Sequence, residues 1–554
     1  MSELTIHVPG PVTIQRIRKD INTLTKDELD LLITAWDYIQ HQAPDKEDNP
    51  NTKSFFTIAG FHGEPFRGAG YSNPSWWGGY CNHGNVLFPT WHRAYLLSLE
   101  NALRQAPGCE NITMPYWNEI FFGPGDLPII PTGPDIPRLP DFPTPIPQIF
   151  LQKKYTYKDG HTIDNPLYSY GFQKSIRDRL SPIPDADYSK PKGYQTVRYP
   201  FSGLVGDGDA DATGAHNNLM NMLGEPKTTE LLQLNVTNWL ISEVENDKGK
   251  IVGGGTRENY IRSLFAPDYT VYSNTTSAQR YNDDNFDDSG SSGGKASLAA
   301  VPIEKPHNAI HLSVGGFEVP GITSYSFVPG ANGDMGENDT ASFDPIFFFH
   351  HCFIDLMFWA WQLRNKHENK LSIRDKYPGT NSVDSQGPTP GTPGGTWLTL
   401  DTPLNPFIGK KGKPVTSNDM TNIKKLGYDY DGLAKALSEL PSPVQTSATA
   451  HVRIGGVSRA DAKGSFFLSA WASEPDGGKR LVALEPVLSR WHVAGCANCS
   501  THLNVTAIAS IPMTLSEARE ANFEVLVHTR GRKYGHSTLG GKTPNLRLGK
   551  LLAH

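Results

Sequence analysis

The sequence contains eighteen histidines, and six of them stand in contexts that favour metal binding. His307 and His311 are four residues apart, so a helix would present both rings on one face. With His351 from a neighbouring helix they would form a trigonal nitrogen site. Three more histidines in the N-terminal third of the chain offer a second set of the same kind. The six candidate ligands are His62, His83, His92, His307, His311 and His351.

The donor types favour copper as the metal. Zinc or manganese pairs that hydrolyse esters or peptides usually have bridging carboxylates, and no Asp or Glu stands at ligand spacing inside these motifs. Neutral imidazole suits copper, which cycles between Cu(I) and Cu(II) without a hard oxygen donor. Two such centres facing each other could bind O2 between them.

The segments around both sets resemble the two copper signatures of the tyrosinase family. Residues 83–100 read His-x4-Phe-Pro-Thr-Trp-His-Arg-x2-Leu-x3-Glu, and residues 344–355 read Asp-Pro-Ile-Phe-Phe-Phe-His-His-x3-Asp. The sequence around Arg18 and the Leu-Gly-Tyr-Asp-Tyr segment at 426–430 extend the likeness to both ends of the family's catalytic domain. With its C-terminal part included, the whole chain is similar to the intracellular pro-tyrosinases of fungi.

The resemblance implies a ligand set for each copper ion: His62, His83 and His92 for copper A, and His307, His311 and His351 for copper B. His351 occupies the ligand position of the second signature, which leaves His350 as a neighbour outside the ligand set. Cys81 corresponds to a cysteine that some family members bond covalently to the imidazole two residues later, here His83. Such a thioether would fix the ring of His83.

The family likeness also implies an activity. The implied enzyme is an oxidoreductase that uses two copper ions and O2. It would hydroxylate monophenols at the position ortho to the ring hydroxyl and oxidise o-diphenols to o-quinones. A phenol has a pKa of about 10, so it must lose its proton to a base first. Glu304 and Asn308 match positions that hold a water for this purpose in tyrosinases, and as i and i+4 of a helix both could reach one water. The pair favours a hydroxylase.

A CxxC motif, Cys496 to Cys499, stands in the C-terminal part. No second CxxC completes a zinc site, and soft thiolates suit Cu(I). The motif resembles the one with which fungal pro-tyrosinases accept copper from a donor and pass it inward. In those proteins the C-terminal domain covers the pocket with an apolar side chain, for which Val487 and Leu488 are the candidates. The chain would then be latent until a protease cuts the linker or acid loosens the domain.

Three other functions fit parts of the sequence. A catechol or o-aminophenol oxidase would use the same six histidines without useful hydroxylase activity. An oxygen carrier like haemocyanin would bind O2 reversibly at the same site, because a covering domain keeps substrate out. A copper store that uses its CxxC leaves six matched ligands unexplained.

Composition excludes several classes of partner. The 51 basic and 57 acidic residues leave a formal charge of −6, whereas binding to nucleic acid or a membrane surface needs a basic face. Five cysteines are too few, and odd in number, for a disulfide framework. No basic and apolar leader is visible, so the sequence favours a cytoplasmic enzyme. We expect phenols and O2 as its partners, no nucleic acid, no membrane, and a homodimer.

Hydrophobic periodicity predicts a helical core with long loops, and the resemblance implies a mainly α catalytic domain in which a four-helix bundle holds the dicopper site. It is followed by an antiparallel β-sandwich. The domains are predicted at 1–435 and 450–554, with a linker at 436–449.

Gly/Ser/Asp-rich segments at 203–211 and 282–294 are interpreted as surface loops. Helices are predicted after the capping box at 25–28, from Thr90, at 306–312 and at 345–363. Strands are predicted at 450–457, 465–472, 481–488, 503–511 and 523–529.

Overall fold

A computed structural model gives the fold of the chain. It has a helical part before residue 441 and a sheet-rich part from residue 450 onward. This confirms a helical domain followed by a C-terminal sheet region. The described residues are 4–5, 16–44, 51–63, 79–120, 145–178, 188–205, 210–246, 249–289, 297–321, 333–384, 389–409, 412–441, 450–462, 464–473, 478–490, 504–511, 513–529 and 544–552.

The four helices predicted from the sequence are present as α1, α3, α9 and α10, and they begin close to the predicted positions. The capping box is present at the first of them, where the Thr25 hydroxyl accepts from the backbone N–H of Glu28 and the Glu28 carboxylate accepts from that of Thr25. The helices are α1 (Lys26–His41), α2 (Phe55–Ala59), α3 (Phe88–Leu103), α4 (Ala210–Leu223), α5 (Glu225–Leu240), α6 (Thr256–Ser263), α7 (Tyr269–Ser273), α8 (Thr275–Asp284), α9 (Glu304–Gly315), α10 (Ile346–Asn365), α11 (Leu433–Ser438) and α12 (Leu515–Glu520).

Helix α10 is the centre of the helical part. Every residue from 346 to 362 is buried, which explains why its sequence is apolar on all sides. By length and composition alone this helix could cross a membrane, but 94% of its most apolar 18-residue stretch is buried inside the protein. It is a core helix, and it contains the segment that resembles the second copper signature.

A buried ion network ties α3 and α10 to the ends of the helical part. Arg18 Nε lies 3.0 Å from Glu100 of α3, and Arg18 Nη1 lies 3.0 Å from Asp355 of α10. Arg93 Nε of α3 reaches the other oxygen of Asp355 at 2.5 Å. Burial alone would raise the pKa of Asp355, but the guanidinium groups of Arg93 and Arg18 hold it below its ordinary value. The network therefore fixes the register of the two helices that carry His92 and His351.

Replacing Asp355 by asparagine is expected to lower the free energy of unfolding by about 3–5 kcal/mol, because two buried guanidinium groups lose a shared counter-charge. Denaturant unfolding of both proteins measures the difference. Asp164→Asn removes one partner of an exposed ion pair with Lys154 and should leave stability unchanged. A loss below about 1 kcal/mol for Asp355→Asn would contradict this role of the network.

The same network predicts a pH dependence of stability. Arg18 and Arg104 outweigh the effect of burial and lower the pKa of Glu100 to about 2, from an ordinary value of 4.5. Because the folded-state pKa is depressed, the contribution of Glu100 is complete above pH 4.5 and is lost as the pH falls toward 2. Unfolding measured between pH 6 and pH 2 should therefore lose stability in that window, and Glu100→Gln should flatten the profile there.

The strands of the helical part are short. Among them, β2 pairs in parallel with β12 and so brings Arg18 beside Tyr430. These strands are β1 (Leu4–Thr5), β2 (Arg16–Arg18), β3 (Lys154–Thr156), β4 (Thr162–Asp164), β5 (Ile176–Asp178), β6 (Tyr188–Lys190), β7 (Glu243–Asn246), β8 (Gly249–Val252), β9 (Phe286–Asp287), β10 (Pro403–Ile408), β11 (Pro414–Thr416) and β12 (Tyr428–Tyr430).

The C-terminal part has two antiparallel sheets, ordered β16-β13-β18-β9 and β15-β14-β17. Their facing side chains form one apolar core that includes Val452, Leu468 and Val527. The five strands predicted from the sequence are present. The strands are β13 (Ala450–Ser458), β14 (Phe466–Ser473), β15 (Lys479–Val487), β16 (Asn504–Ile511), β17 (Phe523–Thr529) and β18 (Asn545–Leu551).

One sequence interpretation needs correction at the junction of the two parts. The segment 282–294, interpreted as a surface loop, contains the end of α8 and strand β9, which pairs with β18 through Phe286 and Leu551. The first residues of the predicted linker 436–449 belong to α11, and 442–449 lie outside the described residues. Strand pairing between segments far apart in sequence explains why local composition missed β9.

Candidate metal centre

The first group of histidines lies where α2 and α3 approach each other. His62 follows α2, His83 is in the loop before α3, and His92 is in the second turn of α3. One ring nitrogen of each lies within 4.8 Å of the others. His62 Nε2 and His92 Nε2 are 3.4 Å apart, so both point at a common centre.

Backbone carbonyls orient two of these rings. His92 Nδ1 lies 2.8 Å from the carbonyl oxygen of Phe88, and His62 Nδ1 lies 3.3 Å from that of Asn338. When these Nδ1–H groups donate, each Nε2 keeps a free lone pair, which is the state of a metal ligand. Neither ring nitrogen of His83 has a hydrogen-bond partner among the described residues.

The second group comes from α9 and α10. His307 and His311 share one face of α9, and His351 is in the second turn of α10. His307 Nε2 and His351 Nε2 are 3.2 Å apart. His311 Nδ1 lies 2.7 Å from the carbonyl oxygen of Met335, which leaves His311 Nε2 without a partner in the described part of the chain. His350 belongs to the same group, although the sequence placed it outside the ligand set.

The two groups face each other. The rings of His92 and His351 are stacked, with centroids 4.3 Å apart and an interplanar angle of 13°. The rings of His83 and His307 are 5.6 Å apart. Two metal ions held by these groups would therefore be neighbours in one pocket.

Burial keeps these imidazoles neutral. It lowers the pKa of His92 to about 3 and the pKa of the other candidate ligands well below the ordinary value of 6.5. Neighbouring histidines lower these pKa values further. Neutral, convergent imidazoles, with a buried unpartnered nitrogen in each group, fit copper ions. A bound ion would satisfy nitrogens whose isolation costs about 1–3 kcal/mol each.

Comparison with known proteins identifies the family. The family model described as the common central domain of tyrosinase matches residues 52–364. The chain belongs to the tyrosinase family. This tyrosinase is 47% identical over 548 residues to a tyrosinase of Aspergillus oryzae, with 96% of both chains covered. It is also 41% identical over 542 residues to tyrosinase HcTyr2 of a Hahella species, with 94% of this chain and 91% of the relative covered.

A solved structure agrees over almost the whole length. The tyrosinase from Burkholderia thailandensis at low pH superposes with a TM-score of 0.75 and 39% identity, over 96% of this chain and 100% of that chain. The tyrosinase of Aspergillus oryzae matches this chain at high identity over almost its whole length. This match supports the enzyme class, so the chain is an oxidoreductase of the tyrosinase type. Family membership implies copper, and the two histidine groups are where metal ions could bind.

Glu304 of this tyrosinase lies beside the first histidine group and is almost fully buried. Its carboxylate accepts hydrogen bonds from the N–H of Gly84 at 2.7 Å and from the N–H and hydroxyl of Thr275 at 2.8 and 3.0 Å. Burial raises its pKa, and the donors at Thr275 and Gly84 oppose that shift. Glu304 therefore fixes the His83 loop against α8 and α9.

Asn308 lies next to the second histidine group. Its Oδ1 is 2.9 Å from His307 Nδ1, so it orients that ring as the backbone carbonyls orient others. Lys305, on the same helix, pairs with Glu485 of β15 at 2.6 Å. Helix α9 thus carries candidate metal ligands as well as contacts with the C-terminal part.

Cys81 is buried and has a free thiol in this structure. Its sulfur lies 3.5 Å from Asn338 Nδ2 and 3.7 Å from Arg490 Nη2. Burial raises the pKa of the thiol, and the Arg490 guanidinium opposes that shift. The thioether to His83 stays a prediction.

The C-terminal residues singled out from the sequence lie in different places. Val487 packs in the core of the two sheets. Leu488 packs in a cluster with Ala309 and Leu312 of α9. Cys496 and Cys499 lie outside the described residues. A pocket plug at Val487 or Leu488 stays a prediction.

Sequence reasoning missed two residues near the site. Glu119 lies 2.7 Å from His350 Nδ1, and Arg490 of the C-terminal part lies 3.4 Å from the carbonyl oxygens of Gly79 and Cys81. Neither stands in a motif with the residues it contacts. Only the folded chain brings them together.

Proposed function

We propose that the chain is a latent tyrosinase with two copper ions. Copper A is held by the first histidine group and copper B by His307, His311 and His351, with O2 as co-substrate. The reactions are ortho-hydroxylation of monophenols and oxidation of o-diphenols to o-quinones. The observation that carries the proposal is the stacking of His92 on His351, because it joins two neutral three-imidazole groups into one pocket. When bound, copper supplies the O2 and electron-transfer chemistry.

The protein's own residues supply geometry and a dry environment. The six ligands are each at most 2% exposed, and aromatic rings such as Phe88 and Phe347 pack against them, with centroids 4.9 Å from His307 and 4.7 Å from His62. Fixed Nδ1 contacts keep the lone pairs of four of these rings aimed at their ions, those of His62, His92, His307 and His311. A pocket without bulk water strengthens the electrostatic interactions within it.

Hydroxylase activity needs a proton acceptor for the phenol. We assign this role to a water held by Glu304 and Asn308, which stand one turn apart on α9. Asn308 supports the assignment because its Oδ1 lies 2.9 Å from Nδ1 of His307, a proposed copper ligand. A catechol or o-aminophenol oxidase would differ at this step.

Asn308→Ala is expected to lower the ratio of monophenol to o-diphenol oxidation at least about tenfold, since general-base assistance typically contributes 10²–10⁴-fold. Initial rates of O2 uptake on a matched monophenol and diphenol measure the ratio, with copper content determined on the same samples. Asn218→Ala, an exposed change on α4, is the control. If both rates fall together at full copper content, Asn308 only positions His307, and the hydroxylase assignment loses its support.

Latency is proposed from the contacts that the C-terminal part makes around the site. Arg490 lies against the loop that carries Cys81 and His83. The pair of Lys305 and Glu485 is buried, with side-chain exposures of 13% and 8%. Trp239 and Phe467 pack edge to face across the same interface, 5.6 Å apart. Cleavage of the linker by a protease, or acid, would release this cover.

The remaining expectations stand as proposals. They are a cytoplasmic location, a homodimer, the division at 1–435, 436–449 and 450–554, and delivery of copper from a donor through Cys496 and Cys499. We also propose that the helices around the site form a four-helix bundle and that the two C-terminal sheets form a β-sandwich. The shared apolar core of both sheets supports the last assignment.

A further inference from the structure

A cavity of about 140 Å³ lies between the helical part and the C-terminal part of the chain. Residues of helices α6 and α8 line it on one side, and residues of strands β15 and β16 line it on the other. The buried pair of Lys305 and Glu485 also lines it, whereas the six proposed copper ligands do not. The cavity therefore belongs to the interface through which the C-terminal part covers the site.

Arg262 of α6 brings a largely buried positive charge to the helical wall of this cavity. Its side chain is 13% exposed, and Nη1 lies 3.9 Å from its ion-pair partner Glu258, which is 43% exposed. Nη2 donates to the carbonyl oxygen of Ala299 at 2.7 Å, whereas Nε is buried and has no hydrogen-bond partner among the described residues. Burial lowers the pKa of Arg262, and Glu258 opposes that shift without cancelling it. The guanidinium is therefore desolvated beside a weak counter-charge.

Ser510 of β16 brings an unpartnered hydroxyl to the opposite wall. Its Oγ is buried and has no hydrogen-bond partner in the described part of the chain. The cross-strand neighbour of Ser510 on β13 is His451, so the two side chains lie on the same face of the sheet. Two residues further along β13, Arg453 Nη2 donates to Asp283 of α8 at 2.7 Å. This face of the sheet is therefore turned toward the helical part.

His451 is a further buried donor on this face. It is inaccessible to solvent, and neither of its ring nitrogens has a hydrogen-bond partner among the residues that the structure describes. Burial and the nearby charge of Arg262 lower the pKa of His451 to about 4. The ring is therefore neutral at pH 7 and has one N–H group that it can donate.

A small oxyanion would satisfy all of these groups. Guanidinium, hydroxyl and imidazole N–H groups are donors, and an anion that accepts from them also supplies the counter-charge that Arg262 lacks. A water molecule would partner the hydroxyl or the ring and leave that charge uncompensated. The volume of about 140 Å³ suits one small ion, since pockets for larger ligands measure roughly 300–1,000 Å³.

We propose that Arg262, Ser510 and His451 form a binding site for a small oxyanion of the phosphate type. The site itself does not depend on copper, but its consequence for activity rests on the proposed latency. Because its residues come from both parts of the chain, a bound anion would connect the cover to the helical part and favour the closed molecule.

Calorimetric titration of the copper-loaded, uncut chain with inorganic phosphate, at pH 7 and constant ionic strength, tests the site. One phosphate per chain is expected to bind, with a Kd of about 1 mM or below. Arg262→Gln, Ser510→Ala and His451→Leu should each weaken binding about tenfold or more, since each removes a hydrogen bond to a charged ligand. Ser510→Ala removes a hydroxyl that has no described partner, so it keeps the test decisive if the other two variants do not fold.

Arg280→Gln is the matched control for the arginine substitution. Arg280 lies on α8, its side chain is 54% exposed, and it pairs with Asp284, so phosphate binding should stay unchanged. No binding of phosphate, or binding that the three site variants leave unchanged, would overturn the site. An equal loss in Arg280→Gln would show a general effect of positive charge and would also overturn it.

The activity of the same proteins separates the anion site from the proposed latency. At ten times its Kd, phosphate should lower the rate of phenol oxidation by the uncut chain about tenfold, because only the closed molecule has the complete site. The cleaved enzyme should be unaffected, and the same concentration should lower the rate of uncut Arg262→Gln by no more than about twofold. Phosphate that binds as expected but leaves the rate of the uncut chain unchanged would overturn latency through this interface and leave the anion site standing.

Discussion

Replacing His92 by alanine is expected to reduce the copper content of the loaded chain from two ions to one and to lower the rate of phenol oxidation by about a thousand-fold or more. The reason is geometric. His92 belongs to the first histidine group and is stacked 4.3 Å from His351 of the second, so its loss removes one ion and the pairing of the two centres. A thousand-fold loss corresponds to about 4 kcal/mol of transition-state stabilisation.

Elemental analysis and O2 uptake on the same preparation measure this effect. His41→Ala is the control, because His41 is 77% exposed and lies at the end of α1, away from both groups. It should keep two ions and full activity. A His92→Ala protein that retains two copper ions and more than a tenth of the activity would be inconsistent with the proposed site.

Glu485→Ala is expected to raise the activity of the uncut chain at least about tenfold. The substitution removes the carboxylate that lies 2.6 Å from the Lys305 ammonium and leaves that ammonium mostly buried without this partner. Truncating one member of such a pair costs about 2–5 kcal/mol. Since 1.4 kcal/mol already changes an equilibrium tenfold, the population of open molecules should rise at least that much.

The rate of the cleaved enzyme is the upper limit for the rate that an uncut variant can reach. After cleavage in the linker, wild-type and Glu485→Ala chains should have equal rates, because the cover no longer matters. Lys479→Ala is the matched control, since Lys479 pairs with Glu524 on the surface of the C-terminal part and makes no contribution to the cover. Equal rates of uncut wild-type and Glu485→Ala chains would argue against latency through this interface.

The residues of the two histidine groups could be predicted from the resemblance of the segments around them to the tyrosinase signatures and, for His307 and His311, from local spacing. His307 and His311 share a helix face wherever that helix forms, and the structure places both against His351. The C-terminal strands β13 to β17 were predictable for the same reason, since alternation along a strand is a local pattern. Predicting these features requires no knowledge of contacts between segments that are distant in sequence.

What could not be predicted depends on contacts between distant segments. Glu119 meets His350 across 231 positions of sequence, and Arg490 meets Gly79 across 411. No spacing rule relates such residues.

The most direct test of the account is copper content measured together with O2 uptake on a monophenol, before and after cleavage of the linker in copper-loaded full-length protein. The account predicts two copper ions per chain throughout, little monophenol oxidation before cleavage and a large increase after it. Two copper ions with reversible O2 binding and no oxidation of any phenol after cleavage would contradict it, as would a single copper ion per chain.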